Sequence, residues 1–368
     1  MKQFRLLIMG LMAALAISLA ACGGGGGGGG GAPGPGDDPT PVTNTTFEVV
    51  QLANLDGGSF SAGIAINLDG MAVGYADDGT TVKGVMWDVT DPTTAVMLEA
   101  LGGDDALYSA SYGINAAGMT VGESETATGI VAVFWNAGAT LPTALNLTGL
   151  PDGSSAAYAV NGSGEIVGEA TNAEGDSLAV YWPDSASAPI ILGHLSASGS
   201  SFSSAYYISD AGLIVGESRN ADGDAQAVVW APGEGGVFVA GQAPEPLTAI
   251  LDQSSSVAFG VDLDGRIVGE VELESGVVRG VVWNADGSLR ETLPAATSAQ
   301  FVTNNDRIVG YSNALSGSDS AIVWNTLDTT DSQGLTEAAF SQAYGANDVD
   351  QIVGIALSQA VVALPVTQ

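Results

Sequence analysis

From residue 46 onward, short apolar runs alternate with polar, glycine-rich breaks, and the alternation repeats. Seven of the runs end in a glycine: Gly74, Gly122, Gly168, Gly216, Gly269, Gly310 and Gly354. Their spacing ranges from 41 residues (Gly269 to Gly310) to 53 (Gly216 to Gly269). The two residues before each glycine are an apolar pair such as Ile166-Val167, with Thr120-Val121 the exception. Eight positions before it stands Ile66, Ile114, Val160, Ile208, Val261, Val302 or Ala346, followed by Asn67, Asn115, Asn161, Ser209, Asp262, Thr303 or Asn347. Four positions before it stands Gly70, Gly118, Gly164, Gly212 or Gly265, replaced by Asp306 and Asp350 in the last two copies. This predicts strand, tight turn, strand. Asn and Asp side chains bond the backbone two residues on, and Gly or Asp tolerates left-handed backbone. A calcium loop at Asp69, Asp262 and Asp264 is the alternative, but it lacks calcium's regular run of oxygen ligands.

A third strand follows a polar stretch and ends, 13 or 14 residues after the glycine, in Trp87, Trp135, Trp182, Trp230, Trp283 or Trp324. These are all six tryptophans of the chain. Runs such as Ala179-Val180-Tyr181-Trp182 have the composition of buried strands. The near-constant offset predicts core tryptophans, with the glycines of the neighbouring strand leaving room for each indole. A fourth strand is predicted at 49–55, 96–101, 145–150, 190–195, 247–251, 289–293 and 335–340. The last copy stops at its third strand, 361–364, so the 49–55 strand is expected to pair with it and close a circle. The expected fold is all-β: one seven-bladed β-propeller of four-stranded antiparallel blades over 46–368, with a β-solenoid as the alternative.

The recurring Ala-Tyr-x-Val/Ile-Asn-x-x-Gly-x-Ile-Val-Gly…Ala-Val-x-Trp, seen in full from Ala157 to Trp182, resembles the HAF-type extracellular repeat of bacterial surface proteins. The resemblance runs from Thr46 nearly to the end, with copies six and seven departing at the turn glycine. It implies an extracytoplasmic repeat protein and carries over no catalytic residue.

The N-terminal region agrees with that setting. Lys2 and Arg5 precede an apolar run too short for an ordinary membrane span. Leu19-Ala20-Ala21-Cys22 resembles the lipobox of bacterial lipoproteins, which implies a signal peptide over 1–21 and lipidation of Cys22. Cys22 is the single cysteine, so no intramolecular disulfide is possible. Gly23 in place of an aspartate points to the outer membrane, with the protein periplasmic or surface-exposed. Residues 22–45 are rich in glycine and proline and read as a flexible tether, with an r.m.s. reach of roughly 25–30 Å.

The formal charge is −33, and Lys83, Arg219, Arg266, Arg279, Arg290 and Arg307 are the basic residues beyond the signal. Nucleic acid and anionic lipid headgroups are repelled by such a chain. Asp77, Asp78, Asp104, Asp105, Asp152, Glu174, Asp176, Asp222, Asp224, Asp252 and Glu274 fall on loops of one face, offset by Lys83, Arg219 and Arg279. That face is expected to prefer cationic or cation-bridged partners; no cofactor is expected, beyond divalent cations on the surface.

Signals of catalysis are thin. His194 is the single histidine, so no histidine cluster for zinc is possible and a Ser-His-Asp set could use only His194, which reads as a structural, hydrogen-bonded residue. Paired carboxylates leave a carbohydrate-active enzyme as the rival to a non-enzymatic binding or scaffolding platform. The candidate ligand positions lie ten residues before the glycines: Tyr112, Tyr158, Tyr206, Phe259 and Tyr344, with Ile64 and Gln300 in the other copies. Aromatics beside small polar loops suit a glycan, peptide or protein ligand; packing between blades is the alternative.

Overall fold

A computed structural model describes residues 45–366, apart from 104–106, 197–200, 296, 313–318, 326–331 and 336–339. The expected signal peptide, Cys22, nearly all of the tether, Asp104 and Asp105 lie outside the described residues. Phe47–Pro365 is one compact unit.

That unit is a seven-bladed β-propeller of twenty-eight strands, with no helix among the described residues. Blades 1 to 6 begin with Ser61–Ile66, Ser109–Ile114, Ser155–Val160, Ser203–Ile208, Gln253–Val261 and Thr297–Val302, and each runs first to fourth strand without crossing. Blade 7 takes Phe340–Ala346, Ile352–Ala356 and Gln359–Val366 from the C-terminal end and Thr46–Gln51 from the N-terminal end. The ring is therefore closed as the repeat offset predicts, and the solenoid is excluded. First strands of neighbouring blades lie side by side around the whole ring, blade 7 against blade 1 included, so they surround the axis.

The apolar core is divided among the seven interfaces between blades. Between blades 3 and 4, for example, Val167 and Tyr181 meet Ile214 and Trp230. At the seam, Trp87 of blade 1 packs with Leu52, Val353 and Val362 of blade 7. All six tryptophans are buried. Four also tie blades together through the indole N–H. Trp87, Trp182, Trp230 and Trp283 donate to the carbonyls of Ala53, Asn146, Gly193 and Thr248, each just beyond the outer edge of the preceding blade. Trp135 has no partner for its Nε1.

Two expectations need correction. Most fourth strands are shorter than the apolar signal suggests, although Leu289–Ala295 of blade 5 is longer, and several lie earlier: Thr143–Ala144, Glu245–Pro246 and Ser332–Gly334 precede the predicted runs. The reason is that the leucine in each run, such as Leu145, Leu247 or Leu335, is a buried plug following the paired strand. Its N–H still donates to the third strand, at Ala132, Ala227 and Ala321 respectively.

The anchor glycines, too, have another role than making room for indoles. A Cβ on Gly168 would stand 2.0 Å from the Ala156 carbonyl oxygen of the first strand, and Gly74, Gly122, Gly216, Gly269 and Gly310 show the same clash. Opposite every anchor glycine the first strand skips one residue in its pairing. This is a β-bulge, and glycine is what lets the bulged backbone approach so closely.

The turns behave as read. Gly70, Gly118, Gly164, Gly212 and Gly265 have φ of +77° to +84°, and Asp306 and Asp350 adopt φ of 69° and 62° in their place. The turn asparagines do more than shape the hairpin: Nδ2 of Asn67, Asn115, Asn161 and Asn347 donates to the carbonyls of Asn115, Asn161, Ser209 and Asn67 in the next blade. In blades 5 to 7 ion pairs take over, Arg266 with Asp262 and Asp306, and Arg307 with Asp350.

Candidate functional site: the axial belt

The bulge determines where the site forms. Its skipped residue is Ile64, Tyr112, Tyr158, Tyr206, Phe259, Gln300 or Tyr344, the same set picked out as candidate ligand positions. A bulge re-aims one side chain out of the strand's alternation, and here it does so on the seven strands around the axis. The rings then meet: Tyr112 and Tyr158 lie 5.8 Å apart between centroids, Tyr158 and Tyr206 5.8 Å, and Tyr206 and Phe259 6.3 Å. Tyr112 and Tyr158 are only 7% and 9% exposed, so packing between blades accounts for most of their surface. Tyr206, Phe259 and Tyr344 are half-buried.

The residue after the anchor glycine faces this belt, and sequence reasoning passed over it. It is Glu123, Glu169, Glu217 and Glu270 in blades 2 to 5, but Tyr75, Tyr311 and Ile355 in blades 1, 6 and 7. The signal was readable, because the four glutamates hold one position in the repeat. Glu123 accepts the hydroxyls of Tyr108 at 2.7 Å and Tyr112 at 2.9 Å. Glu169 accepts Ser204 Oγ at 2.7 Å and is bonded by Tyr158. Glu217 accepts Tyr206 at 2.6 Å, and Glu270 accepts Ser298 Oγ at 2.6 Å. Around the rest of the ring, Tyr344 donates to Gln342, whose amide donates to Asp319 at 2.6 Å.

Burial shapes the acid–base properties. Desolvation pushes Glu217 up to about 7, with the Tyr206 hydrogen bond opposing and the Glu169 charge adding. Glu270 also rises to about 7 through burial, with Ser298 opposing and the charges of Glu272 and Glu217 adding. The phenols of Tyr112, Tyr158 and Tyr206 stand well above the usual range, first through burial and then through the adjacent glutamate charge. A carboxylate in water-poor surroundings is costly. Here four occur in successive blades.

Other sequence candidates do not join this group. His194 follows the Ile190–Ile191 strand, and its buried Nδ1 has no partner, unlike the hydrogen-bonded histidine expected. Lys83 is fully buried, donates to the Leu107 carbonyl at 2.7 Å, and still lowers the pKa of Asp78 through its charge. Asp77 and Asp78 bind local backbone: Asp77 accepts Ser59 N and Phe60 N, and Asp78 accepts Thr80 N and Thr81 N. Among the described residues no group of three or more His, Cys, Asp or Glu is arranged to hold a metal ion.

No family model and no curated protein matches the chain. Solved structures do. YCF48 bound to D1 peptide is 12% identical, matched over 89% of this chain and 97% of that one, with a TM-score of 0.52. YCF48 from Cyanidioschyzon merolae is 10% identical over 89% and 97%, with a TM-score of 0.51. A mutant puromycin hydrolase complexed with PGG is 13% identical over 86% of this chain and 55% of that one, with a TM-score of 0.56. At such identities the likeness is one of fold alone.

Proposed function

We propose that the protein is an extracytoplasmic lipoprotein of the HAF-repeat type, held to the outer membrane through Cys22, whose propeller is a binding module with its ligand at the axial belt. The observation that carries the reading is the lopsided belt itself: an arc of touching aromatic rings backed by four glutamates that are buried or half-buried, facing an arc with no glutamate at that position. Seven bulges position these side chains on a closed, rigid ring, and preorganised aromatics and hydrogen-bonding groups are what a specific site needs. YCF48, which shares the fold, has a peptide bound in one structure, a precedent for a peptide ligand here.

The body, residues 46–368, is to be screened against peptides and glycans by thermal shift. A ligand that raises Tm for the native body but not for Tyr158→Ala supports the reading; a ligand indifferent to every belt substitution refutes it. For the anchor, Cys22→Ser is expected to release the protein from membranes or block its processing. A variant cleaved normally yet still membrane-bound would contradict the lipoprotein assignment.

One observation favours the rival, a carbohydrate-active enzyme. Glu217 and Glu270 lie in neighbouring blades, the charge of the first adds to the raised pKa of the second, and both are held near 7 by burial, a property of general acids. Glycan turnover that disappears in Glu217→Gln or Glu270→Gln would establish that reading in place of a purely binding role.

A further inference from the structure

Burying carboxylates on one side of an axis costs free energy, and in most proteins a basic side chain offsets it. None does so here. Glu169, Glu217 and Glu270 form no ion pair among the described residues and receive hydrogen bonds from hydroxyls alone. Several of the chain's basic groups make their contacts elsewhere. Arg266 and Arg307 belong to the turn network, Lys83 reaches the Leu107 carbonyl, and the Arg219 guanidinium lies 5.1 Å from the centroid of the Phe202 ring.

Two of the carboxylates are only half satisfied. Tyr206 takes Oε1 of Glu217, and Ser298 takes Oε2 of Glu270; Glu217 Oε2 and Glu270 Oε1 have no donor among the described residues. Blade 5 shows why Glu270 is short of one: its bulged residue is Phe259, which lacks the hydroxyl that Tyr112, Tyr158 and Tyr206 direct at the glutamates of blades 2 to 4. Both glutamates are partly exposed, beside rings that are partly exposed as well.

Negative oxygens lacking donors, next to aromatic faces, define the chemistry of what fits. Ring faces attract cations, most strongly weakly hydrated organic ones. A divalent metal needs several oxygens converging in tight geometry, an arrangement not found among the described residues.

We propose that the arc of blades 4 and 5 receives an organic cation, an alkylammonium or guanidinium group. Its N–H donors meet Glu217 Oε2 and Glu270 Oε1, and its carbon side lies against Tyr206 and Phe259. The remainder of the ligand extends toward the arc that lacks belt glutamates. This rests on the belt being the binding site, and it names the ligand class for that site.

The test uses the soluble body in calorimetric titration with putrescine and agmatine, with 1,4-butanediol as an uncharged control of putrescine's length and calcium chloride as the metal control. Both amines are expected to bind and the diol to fail. Glu217→Gln and Glu270→Gln should each weaken amine binding by about tenfold or more, the scale of a lost charge-assisted contact. Asp286→Asn, on an exposed turn of blade 5, should leave it unchanged. Gln keeps the shape of Glu, so the variants retain the packing of the arc. Independently of any variant, amine binding near pH 7 should release protons, seen as a dependence of the heat on buffer ionisation enthalpy, because a cation favours the ionised carboxylates.

Diol binding as tight as putrescine, amine affinity unaltered in both Gln variants, or calcium competing from the same residues with higher affinity would each overturn the proposal. So would a lack of amine binding up to millimolar concentration. A peptide or glycan lost with Tyr158→Ala but kept in both Gln variants would reject the cation and leave the axial site standing.

Discussion

Two arcs of one belt share a backbone and differ in chemistry. Blades 2 to 5 place glutamate after the anchor glycine and an aromatic at the bulge; blades 6, 7 and 1 place Tyr311, Ile355 and Tyr75 there, with Gln300, Tyr344 and Ile64 at the bulge. The bulge is the same on both sides, and so is the clash that makes its glycine necessary: 2.0 Å at Gly168 and 1.9 Å at Gly310. The scaffold therefore sets where a side chain arrives, and the residue placed there sets what it does. A ring of identical units thereby acquires a direction.

The largest effects test the shared scaffold. The arc without belt glutamates contains the seam, where Thr46–Gln51 is the outer strand of blade 7 and the buried Leu52 donates its N–H to Ala360. Deleting residues 46–56 is expected to cost several kcal/mol, on the order of losing a buried strand, measured by denaturant unfolding. A truncated body melting within about a degree or two of the full one would contradict closure. Next, Gly168→Ala and Gly310→Ala should each cost about 3 kcal/mol or more, and by similar amounts, because both place a methyl against the carbonyl of a bulge. A large difference between them would show that the two arcs do not share one scaffold.

A smaller substitution separates the arcs. Phe259→Tyr supplies blade 5 with the hydroxyl its neighbours have; if it reaches Glu270 as Tyr206 reaches Glu217, it should stabilise the body by about 0.5–1.5 kcal/mol at pH 8. The same exchange outside the arc, Phe301→Tyr, has no glutamate to meet and should give no such gain.

Much of this was legible in the sequence. Strand order, turn chemistry, the left-handed Asp306 and Asp350 and the closure at the seam all follow from a pattern repeated seven times, since local turn rules and β-pairing act on neighbouring residues. The belt aromatics were legible as a recurring position, but the reason they reach the axis was not. The bulge is a property of pairing register, and the glycine opposite it reads equally well as room for an indole. The fourth strands were misplaced because apolar runs report burial, and Leu145, Leu247 and Leu335 are buried just after the pairing ends. The glutamates were overlooked because the chain is acidic throughout, and only the geometry distinguishes Glu217 from a solvated acid.

The central claim is that Glu217 and Glu270 are desolvated in the belt with no ion-pair partner among the described residues, and its most direct test is stability against pH. Burial raises Glu217 and Glu270 from 4.5 to about 7 in the folded protein, so the folded state keeps protons that the unfolded chain has released. The groups facing them are Tyr206, Glu169 and a weakly opposing Arg219 for Glu217, and Ser298, Glu272 and Glu217 for Glu270. Their contribution is fully present below the unfolded pKa and is lost as pH rises through the folded one. Unfolding free energy measured across that window, for the native body and for Glu217→Gln/Glu270→Gln, should show the native curve falling relative to the variant by on the order of 1–3 kcal/mol before levelling off above the folded pKa. Two parallel curves would contradict the account.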